Sequence, residues 1–377
     1  MLGRVARAWN TIPEMTSADA RLASTAAETD VESLPCLTPP GQWTLFWRRF
    51  KRDKFALGSL IVFVLLVLLC FAAEPVIAQA LAHGPNDQFP FANGDVNLKP
   101  VGPWSHVRNG TSTAEAIAAK DTTLFVLGAD STLGRDEFLR LLKGGQSSLE
   151  VGLGSTLLAL LIGVPLGALA GVLGGWTDAA VSRLTEFFMG FPILLLLAAL
   201  GYSVRSRLES VTLYHVFSPG VLSLIVLIGF FSWFYPARIV RANVLQLRKQ
   251  EFIEAARMVG ASTPRIIRSH MLPHLVGPIA VYFSIIAATN IVLESAISFL
   301  NIGVPLPDPS WGNMLATNWG HFFIIDQPGR TTGLTTTGWT TFFPAAVIAL
   351  TVLCLALIGE GVREAFDPGS RAKAEKL

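Results

Sequence analysis

Six long apolar runs separated by polar, glycine- and proline-bearing stretches set the pattern of this chain: about Phe55–Ala73, Val151–Trp176, Phe187–Val204, Phe217–Pro236, Val276–Leu300 and Phe342–Gly359. About 20 apolar residues cross the roughly 30 Å hydrocarbon core of a bilayer. Backbone polar groups inside that core must bond to one another, which makes each run a predicted helix. The predicted fold class is therefore an all-α integral membrane protein with six transmembrane helices.

The stretches between the runs give the domain plan. Residues 1–41 are rich in Ala, Ser and Thr, end in Thr38-Pro39-Pro40-Gly41 and are predicted to be a disordered cytoplasmic tail. Residues 42–78 are a basic lead-in, with Trp43, Trp47 and Arg48 to Lys54, followed by the first span. Residues 79–146 carry turn-rich sequence and no spanning run, so they are predicted to be an extracytoplasmic segment. Residues 147–364 form a five-span core that includes a polar loop, 242–275, and 365–377 are a cytoplasmic tail. Seven positive residues, Arg238, Arg241, Arg248, Lys249, Arg257, Arg265 and Arg268, crowd the loop side, which the positive-inside rule places in the cytoplasm with both chain ends. Arg205 and Arg207 run against that trend.

The loop stretch Gln250–Pro273 reads as two short helices with a corner. Phe252, Ile253, Ala255, Ala256 and Val259 make an apolar face of small residues, Gly260 suits a left-handed C-cap, and Thr263-Pro264 suits an N-cap followed by proline. In the second span, Gly163, Gly167, Gly171 and Gly175 recur every four residues and are predicted to share one face where a second helix approaches closely, either in this chain or in a partner. Pro165 is predicted to bend that helix. In the fifth span Asn290 and Glu294 stand among apolar residues, and a carboxylate there serves either transport or a structural hydrogen bond to a neighbouring element. Asp130, Arg135 and Asp136 read as a loop ion-pair cluster with caps for the following helix.

Composition agrees with a membrane protein: 51% hydrophobic, 15% charged, mean hydropathy +0.50. The net charge of +2 says little about partners, because the placement of Lys and Arg near span ends sets orientation and net charge does not, and nothing points to nucleic acid. Cys36, Cys70 and Cys354 stand too far apart to suggest a metal spacing or a disulfide framework. His270 and His274 are one turn apart, but Pro273 falls between them and no third ligand is near, so no metal site is expected. No Walker-type phosphate loop, HExxH, CxxC or GxSxG pattern occurs, and no catalytic residue is expected.

Glu254-Ala255-Ala256, three residues, Gly260, nine residues and His270-Met271-Leu272-Pro273 resemble the EAA loop of ABC importer membrane subunits. Leu127 to Asp136 with Phe138 to Leu142 resemble the signature before the second span of peptide-type permeases. Leu293 to Leu300, Gly303-Val304-Pro305 and Pro309 to Leu315 resemble the pattern after the fifth span of that branch, and Glu360 to Pro368 its ending. The chain is thus similar to the C-type permease of dipeptide, oligopeptide or nickel ABC importers, over about Lys120 to Arg371.

The resemblance implies a type I permease fold with a cytoplasmic coupling helix. It implies four kinds of partner: a second permease, two cytoplasmic ABC ATPases, an extracytoplasmic solute-binding protein and the lipid bilayer. ATP and Mg belong to the ATPases, and no cofactor is expected in this chain. Glu254, Ala255, Ala256, Gly260, Leu272 and Pro273 become the ATPase-coupling residues, and Gly134, Arg135, Asp136, Glu294, Pro309, Trp311 and Gly312 become pathway or structural positions. Two other classes remain: a secondary transporter, which would be expected to carry ionisable residues near midplane in both halves, and a scaffold that needs no gate. The outer stretches 80–120 and 316–340 do not map onto the family pattern; contact with the binding protein is one expectation for them.

Overall fold

The computed structural model describes residues 42–89, 92, 100–108, 115, 122–130, 133–208, 220–322 and 338–366. The tails expected over 1–41 and 367–377, the Gly/Thr tract 331–337 and much of 90–121 lie outside them. The chain divides into two units, residues 1–45 and 46–377. Of the first, only the beginning of helix α1 (Gln42–Phe50) is described.

The second unit is helical. Asp53 caps α2 (Lys54–Leu68), its carboxylate accepting from Phe55 N at 2.9 Å and Ala56 N at 3.2 Å. A π turn at Leu69–Ala73 joins α2 to α3 (Glu74–Leu81). Next come α4 (Glu137–Leu173), α5 (Gly175–Met189), α6 (Ile193–Leu208), α7 (Val221–Phe230) and α8 (Phe234–Leu247). The loop holds α9 (Glu251–Met258) and a short α10 (Thr263–Arg265), followed by α11 (Leu272–Phe299), α12 (Trp311–Phe322) and α13 (Gly338–Phe366). One feature beyond the helical plan is a small antiparallel ribbon, β1 (Ser105–Arg108) and β2 (Thr122–Phe125), with Ser105 opposite Phe125.

Among the described residues, four helical units are long and apolar enough to cross a membrane: Lys54–Leu81, Glu137–Leu173, Thr263–Phe299 and Gly338–Phe366. Two bent pairs bring the total to six if each is one span: α5 with α6, at 81°, and α7 with α8, at 41°. The third run, expected as one helix over 187–204, is thus split at Gly190-Phe191-Pro192. Pro192 has no N–H to continue α5, and the residue before a proline is pushed out of the helical region. The fourth run breaks similarly at Phe231–Trp233.

Helix α4 is the centre of the bundle and runs through Pro165 without interruption. Ile291 of α11 occupies the space above Gly152, and Ile225 of α7 that above Gly154. Lower down, a Cβ at Gly163 would overlap the Trp233 carbonyl, one at Gly167 the Ala237 carbonyl, and one at Gly171 would stand 2.6 Å from Val244 Cγ1. The glycine row therefore seats α4 on α8 within this chain. Gly175 does not belong to it. Gly174 and Gly175 both take positive φ, +67° and +56°, so the chain turns there and Gly175 begins α5 with no neighbour where its Cβ would be. Across the same corner Asp178 of α5 pairs with Arg241 of α8, through Nε and through Nη2 at 2.8 Å.

Gly167→Val is accordingly expected to destabilise the bundle by about 3 kcal/mol, the upper end of ordinary overpacking, because the obstacle is backbone. Gly175→Ala, in open space, is expected to cost far less, its φ notwithstanding. Thermal unfolding of the two variants in detergent compares them.

Candidate functional site

The polar loop between α8 and α11 is the first candidate. Gln250 precedes α9 in extended conformation, and Ile253 is fully buried in a cluster with Val240, Val244, Ile266, Met271 and Leu275. This one side chain anchors α9 to the lower ends of α8 and α11. The predicted single apolar face is thus divided: Ile253 points inward, Ala256 is half-buried, and Phe252, Ala255 and Val259 point outward with Glu254. Met258 and Val259 are 83% and 89% exposed, which leaves an apolar edge of the loop with no partner inside this chain.

Gly260 makes the corner at φ +82°, a conformation that a side chain disfavours. Gly260 N donates to Arg257 O at 2.9 Å and Ala261 N to Ala256 O at 3.0 Å, which satisfies the last carbonyls of α9. The N-cap position falls on Ser262, one residue before the predicted Thr263, so that Pro264 lies within the first two helical positions. The expected second short helix is not separate. A π turn at Ile266–Met271 carries α10 directly into α11, and Pro273, which has no N–H to give to the turn before it, stands just after that π turn. Leu272 and Pro273 are exposed there, and the His274 ring lies 5.2 Å from that of Phe252.

The second candidate lies at the opposite end of α4. Asp136 caps α4, accepting from Phe138 N at 2.8 Å and Leu139 N at 3.2 Å. Its other oxygen meets His83 Nε2 at 3.0 Å, while His83 Nδ1 meets Leu81 O at 3.0 Å. Asp130 accepts from Leu133 N, from Arg135 N and, at 2.6 Å, from Arg135 Nε. Gly134 forms the turn between them, and its carbonyl accepts from Phe89 N. Arg140 reaches Asn86 Oδ1 at 3.0 Å, and Asn318 of α12 reaches Glu137 Oε1 at 3.5 Å. All the ionisable side chains of this cluster named here are buried.

Burial disfavours a charged His83 ring, but its bonds to the Asp136 carboxylate and the Leu81 carbonyl outweigh that and hold its pKa above the ordinary histidine value. A pKa raised on folding contributes stability that is complete below the unfolded-state value and is lost as pH rises through the folded value. The unfolding midpoint is therefore expected to fall as pH rises above about 6.5, the unfolded histidine value, and His83→Gln should remove part of that fall, the rest coming from buried Glu137, whose pKa burial pushes up to about 8.

Between these ends, Glu294 is fully buried among hydroxyls. Ser298 Oγ donates to it at 2.7 Å and Ser295 Oγ lies at 3.4 Å, and Ser148 and Ser310 stand beside the carboxylate. Ser148 Oγ in turn accepts from Trp311 N at 3.1 Å, and Trp311 Nε1 donates to Leu141 O at 3.0 Å. Pro309 leads into this start of α12, and Gly312 lets it approach the Ser295 backbone too closely for any Cβ. Asn290 Nδ2 donates to Ser155 Oγ at 3.0 Å and Thr156 Oγ1 at 3.1 Å, and its carbonyl accepts from Ser232. Sequence reasoning missed His83, Asn86, Ser148 and Asn318, each of which has a partner distant in the chain that leaves no local signal. Ser298, one turn after Glu294, was the legible one.

Residues 163–372 match the family described as binding-protein-dependent transport system inner membrane component, and residues 41–100 match the N-terminal TM domain of oligopeptide transport permease C. The chain is 32% identical to a glutathione transport system permease protein of Pectobacterium atrosepticum over 86% of this chain and 91% of that one. It is 30% identical to an oligopeptide transport system permease protein of Bacillus subtilis over 87% and 90%, respectively, and 33% identical to a dipeptide transport system permease protein of the same organism over 86% and 85%. A solved structure of the methionine ABC transporter MetNI in an inward-facing conformation aligns with a TM-score of 0.46 at 19% identity, over 60% of this chain and 96% of that one.

Proposed function

Because this chain belongs to the family of binding-protein-dependent transport system inner membrane components, and is a permease subunit of an ABC importer, we propose that it forms one half of a pathway for short peptides and is driven through α9. The relatives named for glutathione, oligopeptides and dipeptides support the peptide class. In this reading a second permease closes the pathway, two ATPases bind beneath it and a solute-binding protein delivers from outside.

The observation that carries the coupling role is the division of α9. Ile253 is locked into the bundle, while Phe252, Ala255, Met258 and Val259 present an uncovered face. A helix held on one side and free on the other transmits a push from a docked protein to α8 and α11. Small Ala255 and Ala256 permit close docking, Gly260 sets the corner, and Glu254 offers a charged contact. The positive charges around this loop support a cytoplasmic location for it and for both chain ends. ATP and Mg are held by the ATPase subunits, whose closure moves the loop and switches the bundle between outward and inward access. Glu294, fully buried, bonded to Ser298 and Ser295 of its own helix and beside Ser148 of α4 and Ser310 before α12, is assigned a structural role.

Reconstitution with the partner permease, ATPases and binding protein tests the reading. Accumulation of a dipeptide or oligopeptide that needs ATP and persists when ion gradients are collapsed is expected. Uptake that stops on collapse of the gradient, with ATP maintained, would establish secondary transport instead.

A further inference from the structure

Next to the Asp178–Arg241 corner, α5 and α8 enclose a cavity of about 230 Å³. Val181, Glu186 and Met189 stand on its α5 wall, and Arg238 and Arg241 on its α8 wall. That space is well beyond the about 30 Å³ of one water. Asp178 takes two of the five N–H groups of Arg241, through Nε and through Nη2 at 2.8 Å. The pair fixes this guanidinium and leaves it three N–H groups to give. Arg238, one turn away and exposed, has among the described residues one partner, the Met189 sulfur at 3.8 Å. A thioether is a weak acceptor. Glu186 does not supply the missing anion, because it pairs with Arg183 at 3.2 Å. Three arginines thus stand with two carboxylates around the cavity, and one positive charge is left over.

Two guanidinium groups on one wall suit a phosphate, whose several oxygens accept from both. The surroundings say which kind of phosphate. Met189 is exposed, and beyond it, away from the polar loop, the ring of Phe188 lies 6.4 Å from Phe230 and 5.7 Å from Phe231. Phe187, Phe191, Phe230 and Tyr235 around these rings are exposed. A free inorganic anion has no use for such an apolar border, whereas a phospholipid covers it with its acyl chains. The charge pattern that supports a cytoplasmic loop sets the arginines near the inner-leaflet headgroups, where anionic lipids are concentrated.

We propose that this cavity binds the phosphate of an anionic phospholipid, one net negative charge in the manner of a phosphatidylglycerol, between Arg238 and Arg241, with the acyl chains along Met189 and the exposed rings. The site goes beyond the transport reading and holds whatever solute is carried.

The test is a titration of the detergent-purified transporter complex with dioctanoyl phosphatidylglycerol, read by native mass spectrometry. Saturable binding is expected, with dioctanoyl phosphatidylcholine, which has no net charge, binding more weakly. Arg238→Gln should weaken the phosphatidylglycerol complex about tenfold, the scale of one charged hydrogen bond. Arg48→Gln, which removes a basic charge from α1, should leave it unchanged. Equal weakening by both substitutions would mean diffuse attraction to a basic surface and would overturn the site. Displacement of the lipid by inorganic phosphate at equal concentration would overturn the lipid assignment, because the apolar border would then contribute nothing. Val181→Phe, which fills the cavity and keeps both arginines, guards against an Arg238→Gln complex that fails to assemble. It should abolish the bound lipid, and undiminished binding in this variant would place the lipid elsewhere.

Discussion

Replacing Ala255 with glutamate is expected to cut ATP-driven uptake about a hundredfold, equivalent to about 2.8 kcal/mol at a docking face where key residues each carry 2 kcal/mol or more. Ala255 is exposed beside Phe252 and Val259, so the new side chain meets no obstacle within this chain and the bundle should fold as before. What it obstructs is the close approach of another protein. Ile253→Ala acts from the other side of the same helix. It leaves the outward face intact but frees α9 from Val244, Ile266 and Met271, so bound ATPase should persist while uptake falls. Measuring ATPase co-purification and uptake together separates the two effects. An Ala255→Glu transporter with normal uptake would remove α9 from the drive mechanism.

Trp311→Ala is expected to lower stability by about 3–5 kcal/mol, the range for truncating a fully buried large aromatic side chain. Trp311 is completely covered by Cys70, Leu141, Leu149, Met314 and their neighbours, and its ring lies against Gly145. It also joins three elements, since its main-chain N–H meets Ser148 of α4, its indole N–H meets Leu141 of the same helix, and Gly312 beside it packs on the Ser295 backbone of α11. The unfolding midpoint of the detergent-solubilised protein should drop by several degrees or more, with Trp311→Phe retaining most of the packing. A midpoint unchanged in Trp311→Ala would mean that α12 is not held to the bundle at this point.

The helical membrane class was legible because apolar runs near 20 residues have few other outcomes, and the loop corner was legible because Gly260 and Pro264 are local signals. The row at Gly163, Gly167 and Gly171 was readable as a close-approach face, but its extension to Gly175 was not, since periodicity continues through a turn that only backbone dihedrals reveal. The break at Pro192 was overridden by the surrounding leucines. Proline in a hydrophobic run weighs little in composition, yet it removes a backbone bond and redirects the chain by 81° at that corner. The outer network was half legible: Asp136 and Asp130 announce caps and an ion pair, but His83 reaches Asp136 across 53 residues and Asn318 reaches Glu137 across 181.

The central claim is that the outward face of α9 docks on a nucleotide-hydrolysing partner. Its most direct test is a cysteine crosslink from Ala255→Cys, in a background with Cys36 changed to serine, with and without ATP and with the adduct identified by mass. A crosslink to a Walker-type ATPase whose yield changes with nucleotide is the predicted result. No adduct, with the cysteine open to reagents from the cytoplasmic side, would contradict the account.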